Sequence, residues 1–174
     1  MTGEDAVSSR AGVPFPWIEG IARGRLAIGP CPAWGEGLEE VARVWQQAGV
    51  NAVASLLGPA EIVELGLQRE PELCLAQGME FLSFPIPDHS VPQSRRDTCA
   101  FALRLVGLLG KGQSVLIHCR AGIGRSVVVA ACVLVLLDVP PETALERIGA
   151  ARGFPDVPDT EEQREWIVEF AESV

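Results

Sequence analysis

The run His118-Cys119-Arg120-Ala121-Gly122-Ile123-Gly124-Arg125-Ser126 sets a thiol and a guanidinium five residues apart, across a segment with two glycines. Ser114-Val115-Leu116-Ile117 before it reads as a short buried strand, and the apolar stretch Val127 to Leu137 after it reads as a buried helix. Strand, glycine-bearing loop and helix N-terminus make an anion site. Successive backbone N–H groups converge there, and the helix dipole favours negative charge. A cysteine at the base of such a cradle can attack the phosphorus that the cradle holds. The attacking species is a thiolate, and a free thiol is only about 3% ionised at pH 7. Loop amides, the helix start and a nearby guanidinium all favour the anion.

Cys119 is therefore the candidate nucleophile and Arg125 the candidate clamp, its planar fork pairing with two phosphoryl oxygens. Arg120, Ala121, Gly122, Ile123, Gly124 and Arg125 are expected to wrap the phosphate. Gly122 and Gly124 allow left-handed backbone and a close approach without a Cβ in the way. Ser126 is expected to donate its hydroxyl to the Cys119 sulfur as that sulfur leaves. His118 should face away from substrate and hold the loop through hydrogen bonds. Taken singly, a buried cysteine is usually a small core residue. The fixed spacing of His, Cys, Gly, Arg and Ser is what points to catalysis.

The string resembles the signature loop of the protein tyrosine and dual-specificity phosphatase superfamily: His-Cys, five residues, Arg, then Ser or Thr. The resemblance extends over about residues 20–172 and is closest to the compact atypical dual-specificity phosphatases and the kinase-associated phosphatases. It implies attack of the thiolate on phosphorus, a cysteinyl-phosphate and its hydrolysis by water, with no metal and no cofactor. It also implies a general acid, since a phosphate ester leaves poorly as an alkoxide. Asp88 stands 31 positions before Cys119, in Pro85-Ile86-Pro87-Asp88-His89, a proline-stiffened loop after the apolar run Phe81-Leu82-Ser83-Phe84. That separation matches the family's acid loop. Capping of a helix beginning near Arg95, or a plain turn, is the other reading of Asp88, and His89 reads as an exposed neighbour. Arg152-Gly153 and the later Thr160-x-x-Gln163 resemble the family's arginine turn and following helix start. A capping box accounts for Thr160 and Gln163 structurally, while the resemblance offers Gln163 as a residue that positions the hydrolytic water. The chain has no tyrosine, and residue 127 is Val where many tyrosine-specific relatives have Gly. A shallower, more open pocket follows, without strict phosphotyrosine selectivity.

The expected substrates are phosphotyrosine proteins, with phosphoserine or phosphothreonine in second place. The same chemistry on a phosphoinositide, sugar phosphate, nucleotide or RNA 5′-phosphate is the alternative. Lipid-directed relatives often carry Lys in the loop, where this chain has Ile123. A non-catalytic phosphoprotein-binding module is the third reading, disfavoured because Cys119, Arg125 and Asp88 are all present.

The chain has 174 residues, 48% hydrophobic and 21% charged, which suits one globular phosphatase domain over 15–174 behind a flexible arm at 1–14. A net charge of −9 speaks against nucleic-acid or anionic-membrane partners, whose surfaces call for Lys and Arg. The site must then be locally basic on an acidic body, with Arg95, Arg96, Arg120, Arg125 and Arg152 as candidates. The first eleven residues lack an apolar segment, so no signal peptide is expected. The apolar run after Ser126 is too short to span a bilayer. Five cysteines without metal-ligand spacing suggest a reducing compartment, the cytoplasm, and a monomer is expected.

Apolar periodicity and punctuation by Gly and Pro predict strands at 25–28, 50–57, 81–84 and 114–117. Helices are predicted over 38–48, 60–67, 73–77, from near Arg95 through Leu109, and over 125–137, 141–151 and 160–171. Strands alternating with helices imply a three-layer αβα fold around a mostly parallel sheet of four to five strands. The cradle would lie at the carboxyl end of a central strand.

Overall fold

Alternation along each strand sends side chains to two different cores. In β1 (Arg25–Gly29), Leu26 and Ile28 face one side and Ala27 the other; in β4 (Ser114–His118), Val115 and Ile117 oppose Leu116. β2 (Ala52–Ser55) divides Ala52 and Ala54 from Val53, and β3 (Glu80–Ser83) divides Leu82 from Phe81. Both faces are apolar, as an all-parallel sheet covered on each side requires. The computed structural model describes residues 15–32 and 37–174, so the arm expected at 1–14 lies outside the described residues.

The four strands lie in the order β1-β4-β2-β3, every pair parallel. The helices are α1 (Leu38–Gln47), α2 (Pro59–Glu64), α3 (Glu70–Ala76), α4 (Arg95–Gly110), α5 (Arg125–Val135), α6 (Pro141–Arg152) and α7 (Glu161–Glu172). One face of the sheet is covered by α1 and α3 through Leu38, Ala42, Trp45, Leu73 and Cys74. The other is covered by α4 to α7. The expected three-layer αβα architecture is the one observed. β2 is shorter than the predicted 50–57. At one end Asn51 Oδ1 and backbone N–H are engaged with Ser114 at 2.8 Å each. At the other, Leu56 donates to the His118 carbonyl before Gly58 and Pro59 turn the chain into α2.

Helix α5 sits at the centre of its layer. Every residue from Arg125 to Leu134 is buried, and α4, α6 and α7 pack around it. A helix apolar on all sides needs such a surround. The helices following the neighbouring strands β1 and β4 lie on opposite faces of the sheet, α1 on one and α5 on the other. At that switch the loops leave a crevice beyond the strand ends. The loop from Cys119 to Gly124 occupies it.

Gly122 fixes how deeply this loop seats. Its φ is 73°, and a Cβ there would stand 2.4 Å from the Gly29 carbonyl carbon and 2.6 Å from Pro30 N. The obstruction is backbone at the end of β1, which cannot swing aside. Gly112, by contrast, has φ 81° but nothing within 4 Å. Gly122→Ala should therefore cost about 1–3 kcal/mol and lift the loop, beyond the backbone strain alone. Gly112→Ala should carry only that strain, and equal urea midpoints for the two variants would refute the close approach.

Candidate active site

Cys119 leaves the end of the central strand β4 and is buried. Its sulfur accepts the Gly122 N–H at 3.2 Å and lies 3.2 Å from Ser126 Oγ, on the first turn of α5. Above it is a hollow of about 100 Å³, lined by Asp88, His89, Arg120, Ala121, Ile123, Gly124, Arg125, Asp159 and Gln163 as well as Cys119. Cys119, Arg120, Ala121, Ile123, Gly124, Arg125 and Asp88 thus line one cavity; Gly122 does not, its N–H meeting the sulfur instead.

Arg125 is the first residue of α5, and its side chain is 2% exposed. A buried guanidinium must be paired. Nη1 and Nη2 donate to the two Glu61 oxygens at 2.8 and 2.9 Å; Nη1 also donates to the Ile86 carbonyl at 2.9 Å and Nη2 to Asp88 Oδ1 at 2.9 Å. Burial works against the charge. The Glu61 hydrogen bonds and the negative charges of Cys119, Glu61 and Asp88 outweigh it, so the guanidinium is held more firmly charged than usual. Glu61 escaped the reading of the sequence. As the third residue of α2 its carboxylate caps the Gly58 N–H at 3.0 Å, and that local role gives no hint of a partner 64 positions away.

His118 does not line the hollow. It is fully buried, with Nδ1 3.3 Å from the Cys119 carbonyl and Nε2 2.6 Å from Glu70 Oε1. Glu70, at the start of α3, is 2% exposed and was also missed, since nothing near it in sequence marks it as buried. Burial, and then Glu70, push the Cys74 thiol up to about 12. Burial raises Cys31 as well, reinforced by Cys119 and Glu70, and burial raises Cys132 further still. All five cysteines are free.

Asp88 does not cap the helix after it. Ser94 does so, through a bond from Asp97 N to Ser94 Oγ at 3.2 Å. His89 is exposed but not idle: with φ 54° it places Nδ1 2.8 Å from Asp159 Oδ2, bridging the Asp88 loop to the turn before α7. Thr160 and Gln163 form the expected capping box; Gln163 Nε2 also donates to the Ser90 carbonyl at 3.0 Å. Arg152 holds the loop from behind, with Nε on the Gly122 carbonyl at 2.9 Å and Nη2 on that of Ala121 at 3.3 Å.

Three expectations need correction. Gly124 is not left-handed (φ −120°, ψ −91°); it caps α5, and its missing side chain makes room for Gln163 and Asp159, 3.1–3.2 Å from where a Cβ would be. Arg95 does not join the basic patch, because α7 draws it into a pair with Glu169. Arg96 does not line the hollow either. Arg120 and Arg125 do line it, but with Asp88 and Asp159, and the charges are paired: Arg120 with Glu64 at 2.7 Å, Arg125 with Asp88 at 2.9 Å and His89 with Asp159 at 2.8 Å.

The Glu61 carboxyl is held below its ordinary value, chiefly by its hydrogen bonds to Arg125 and against the effect of burial. A carboxyl lowered on folding stabilises the fold above its unfolded value and loses that contribution as the pH falls through the lowered one. Glu61→Gln should therefore unfold at lower urea than the unmodified protein at pH 7. The gap should close as the pH drops from about 5 towards 3. A gap independent of pH would mean that Glu61 acts through packing alone.

The profile of the family described as a polymorphic toxin system DSP-PTPase phosphatase matches residues 34–138. Cyclin-dependent kinase inhibitor 3 of Sus scrofa is 34% identical over 92 residues, which are 52% of this chain and 42% of that protein. The chain thus aligns with about two fifths of the length of the curated relatives it matches. Kinase-associated phosphatase, crystallised with serine for its catalytic-site cysteine, superposes with a TM-score of 0.84 at 20% identity, over 95% of this chain and 97% of the other. At that identity the likeness is one of fold. Tk-PTP in its active form superposes with a TM-score of 0.73 at 29% identity, over 92% and 97%. With the cysteine–arginine cradle, the parallel sheet and these matches together, the chain belongs to the dual-specificity and protein tyrosine phosphatase (DSP-PTPase) family.

Proposed function

We propose that residues 15–174 act as one phosphatase domain that hydrolyses phosphate monoesters on proteins through a cysteinyl-phosphate. The observation that carries this reading is the placement of Cys119 Sγ under a hollow that Arg125 and Asp88 also line, with a backbone N–H already on the sulfur. A phosphate entering the hollow competes with Asp88 for Arg125 Nη2. Its arrival releases the Asp88 carboxyl to carry the proton that the leaving oxygen needs. The Cys119 thiolate forms a bond to phosphorus as the ester P–O bond breaks, and Asp88 gives its proton to that oxygen. Water then attacks phosphorus and passes a proton back to Asp88. The P–S bond breaks, with the Ser126 hydroxyl hydrogen-bonded to the departing sulfur.

Gln163 lines the hollow with an amide that donates one N–H to the Ser90 carbonyl and has its second N–H for the attacking water. Arg125 and the loop amides follow the charge of the transferring group. A hollow of about 100 Å³ takes a phosphoryl group, and with no tyrosine in the chain to sandwich an aryl ring it suits phosphoserine and phosphothreonine as well as phosphotyrosine. The net charge of −9 disfavours anionic lipid surfaces. Five free thiols fit a reducing compartment such as the cytoplasm.

The purified protein should release phosphate from p-nitrophenyl phosphate and phosphotyrosine peptides in the presence of EDTA. Cys119→Ser should lower kcat by at least about 1,000-fold. Asp88→Ala should slow phosphoserine and phosphothreonine substrates about 100-fold and activated aryl phosphates far less. Equal loss across leaving groups would remove Asp88 from the acid role. Phosphoinositides or nucleotides turned over faster than any phosphopeptide would move the substrate class.

A further inference from the structure

A second cavity of about 200 Å³ adjoins the hollow, lined by Ile123, Phe154, Pro155, Asp156, Val157 and Asp159. Ile123 and Asp159 line both spaces, so groups seated in the two are neighbours in one ligand. We propose that this cavity is a substrate subsite: it takes an apolar side chain next to the phosphorylated residue of a protein substrate, whose further neighbours are basic. The inference rests on the phosphatase reading above and adds the class of sequence the site accepts.

Chemistry and volume agree. A dry cavity of roughly 150 Å³ holds a benzene-sized group, so this one admits a leucine or phenylalanine side chain. Phe154 is 49% exposed in its wall, a large apolar surface that the fold itself does not cover. The backbone there is fixed, with Phe154 N–H on the Gly149 carbonyl at 3.1 Å. The Arg152 guanidinium lies 5.5 Å from the centre of the Phe154 ring, and the same guanidinium bonds the Gly122 and Ala121 carbonyls. The apolar wall and the phosphate loop thus share one support.

Charge decides between a protein and a membrane as the source of the apolar group. Asp156 and Asp159 edge the cavity, and Asp88 and the Arg120–Glu64 pair lie on the hollow beside it. An acyl chain arriving with anionic headgroups would meet this negative rim, whereas lysine or arginine flanking the phosphoresidue would be drawn to it.

The test uses phosphotyrosine peptides carrying leucine or phenylalanine, in turn, at each position from −2 to +2 of an otherwise glycine-rich basic sequence. One position should raise kcat/KM about tenfold. Phe154→Ala should abolish that preference and leave p-nitrophenyl phosphate turnover within about twofold of the unmodified protein. Asp156→Lys should reverse the benefit of the flanking basic residues. The same peptides titrated into the Cys119→Ser protein and read by fluorescence anisotropy report the preference as affinity, independently of turnover. Without p-nitrophenyl phosphate hydrolysis the phosphatase reading fails, while the anisotropy series still decides the subsite. No preferred position in either assay, or equal loss on peptide and aryl phosphate in Phe154→Ala, overturns it. So does binding of phosphoinositide vesicles that Phe154→Ala weakens, which would assign the cavity to an acyl chain.

Discussion

A guanidinium with 2% of its side chain exposed has to be surrounded by oxygen acceptors, and Arg125 gathers them from two other parts of the chain. Glu61 comes from α2, the Ile86 carbonyl and Asp88 from the segment after β3, and the arginine itself opens α5. Removing the charge would orphan a carboxylate pair, and removing the acceptors would leave a buried cation. The three segments are therefore held in one arrangement around the hollow. Exposed pairs such as Arg69–Glu72 contribute little by comparison, because water and salt screen them.

The rest of the scaffold aims this charge at the sulfur. β4 lies between β1 and β2, so its carboxyl end cannot shift without breaking two ladders. The buried His118–Glu70 pair supports the carbonyl of Cys119 from beneath, and Arg152 supports those of Ala121 and Gly122 from the side. With their carbonyls so engaged, these loop residues can turn N–H groups inward, as at Gly122 on Cys119 Sγ. Preorganised donors of this kind need no rearrangement when an anion arrives.

An acidic protein with a cationic hollow sets up a competition. Asp88 and Glu61 occupy Arg125 in this arrangement, and a phosphate must take over part of their place. On the proposed reading that exchange would favour dianionic esters over weaker anions, since only a strong charge displaces a carboxylate from its guanidinium. It would also link binding to the position of Asp88, which shares Arg125 Nη2 with the incoming anion. Asp159 and Asp156 edge the adjoining cavity, so on the proposed reading selection by charge would extend beyond the phosphate itself.

What the sequence determined by itself is whatever lies in contiguous residues or strict periodicity. The cradle is legible because Cys119, Gly122, Arg125 and Ser126 fall within nine positions, and local geometry alone brings them together. The layers are legible because period-two strands and an all-apolar helix leave few ways to bury their surfaces. Asp88 is legible through its distance from Cys119, given the family resemblance. Tertiary structure alone decided Glu61 and Glu70, which meet their partners across 64 and 48 positions. Their roles come from burial beside a particular cation or imidazole, and a glutamate near a helix start looks the same whether it is solvated or enclosed. The same holds for Arg95, which packing gave to Glu169, and for Gly124, whose small size serves a helix cap and two neighbouring side chains. Side-chain chemistry is written in the chain, but the dielectric and the partners it meets are set only when distant segments pack.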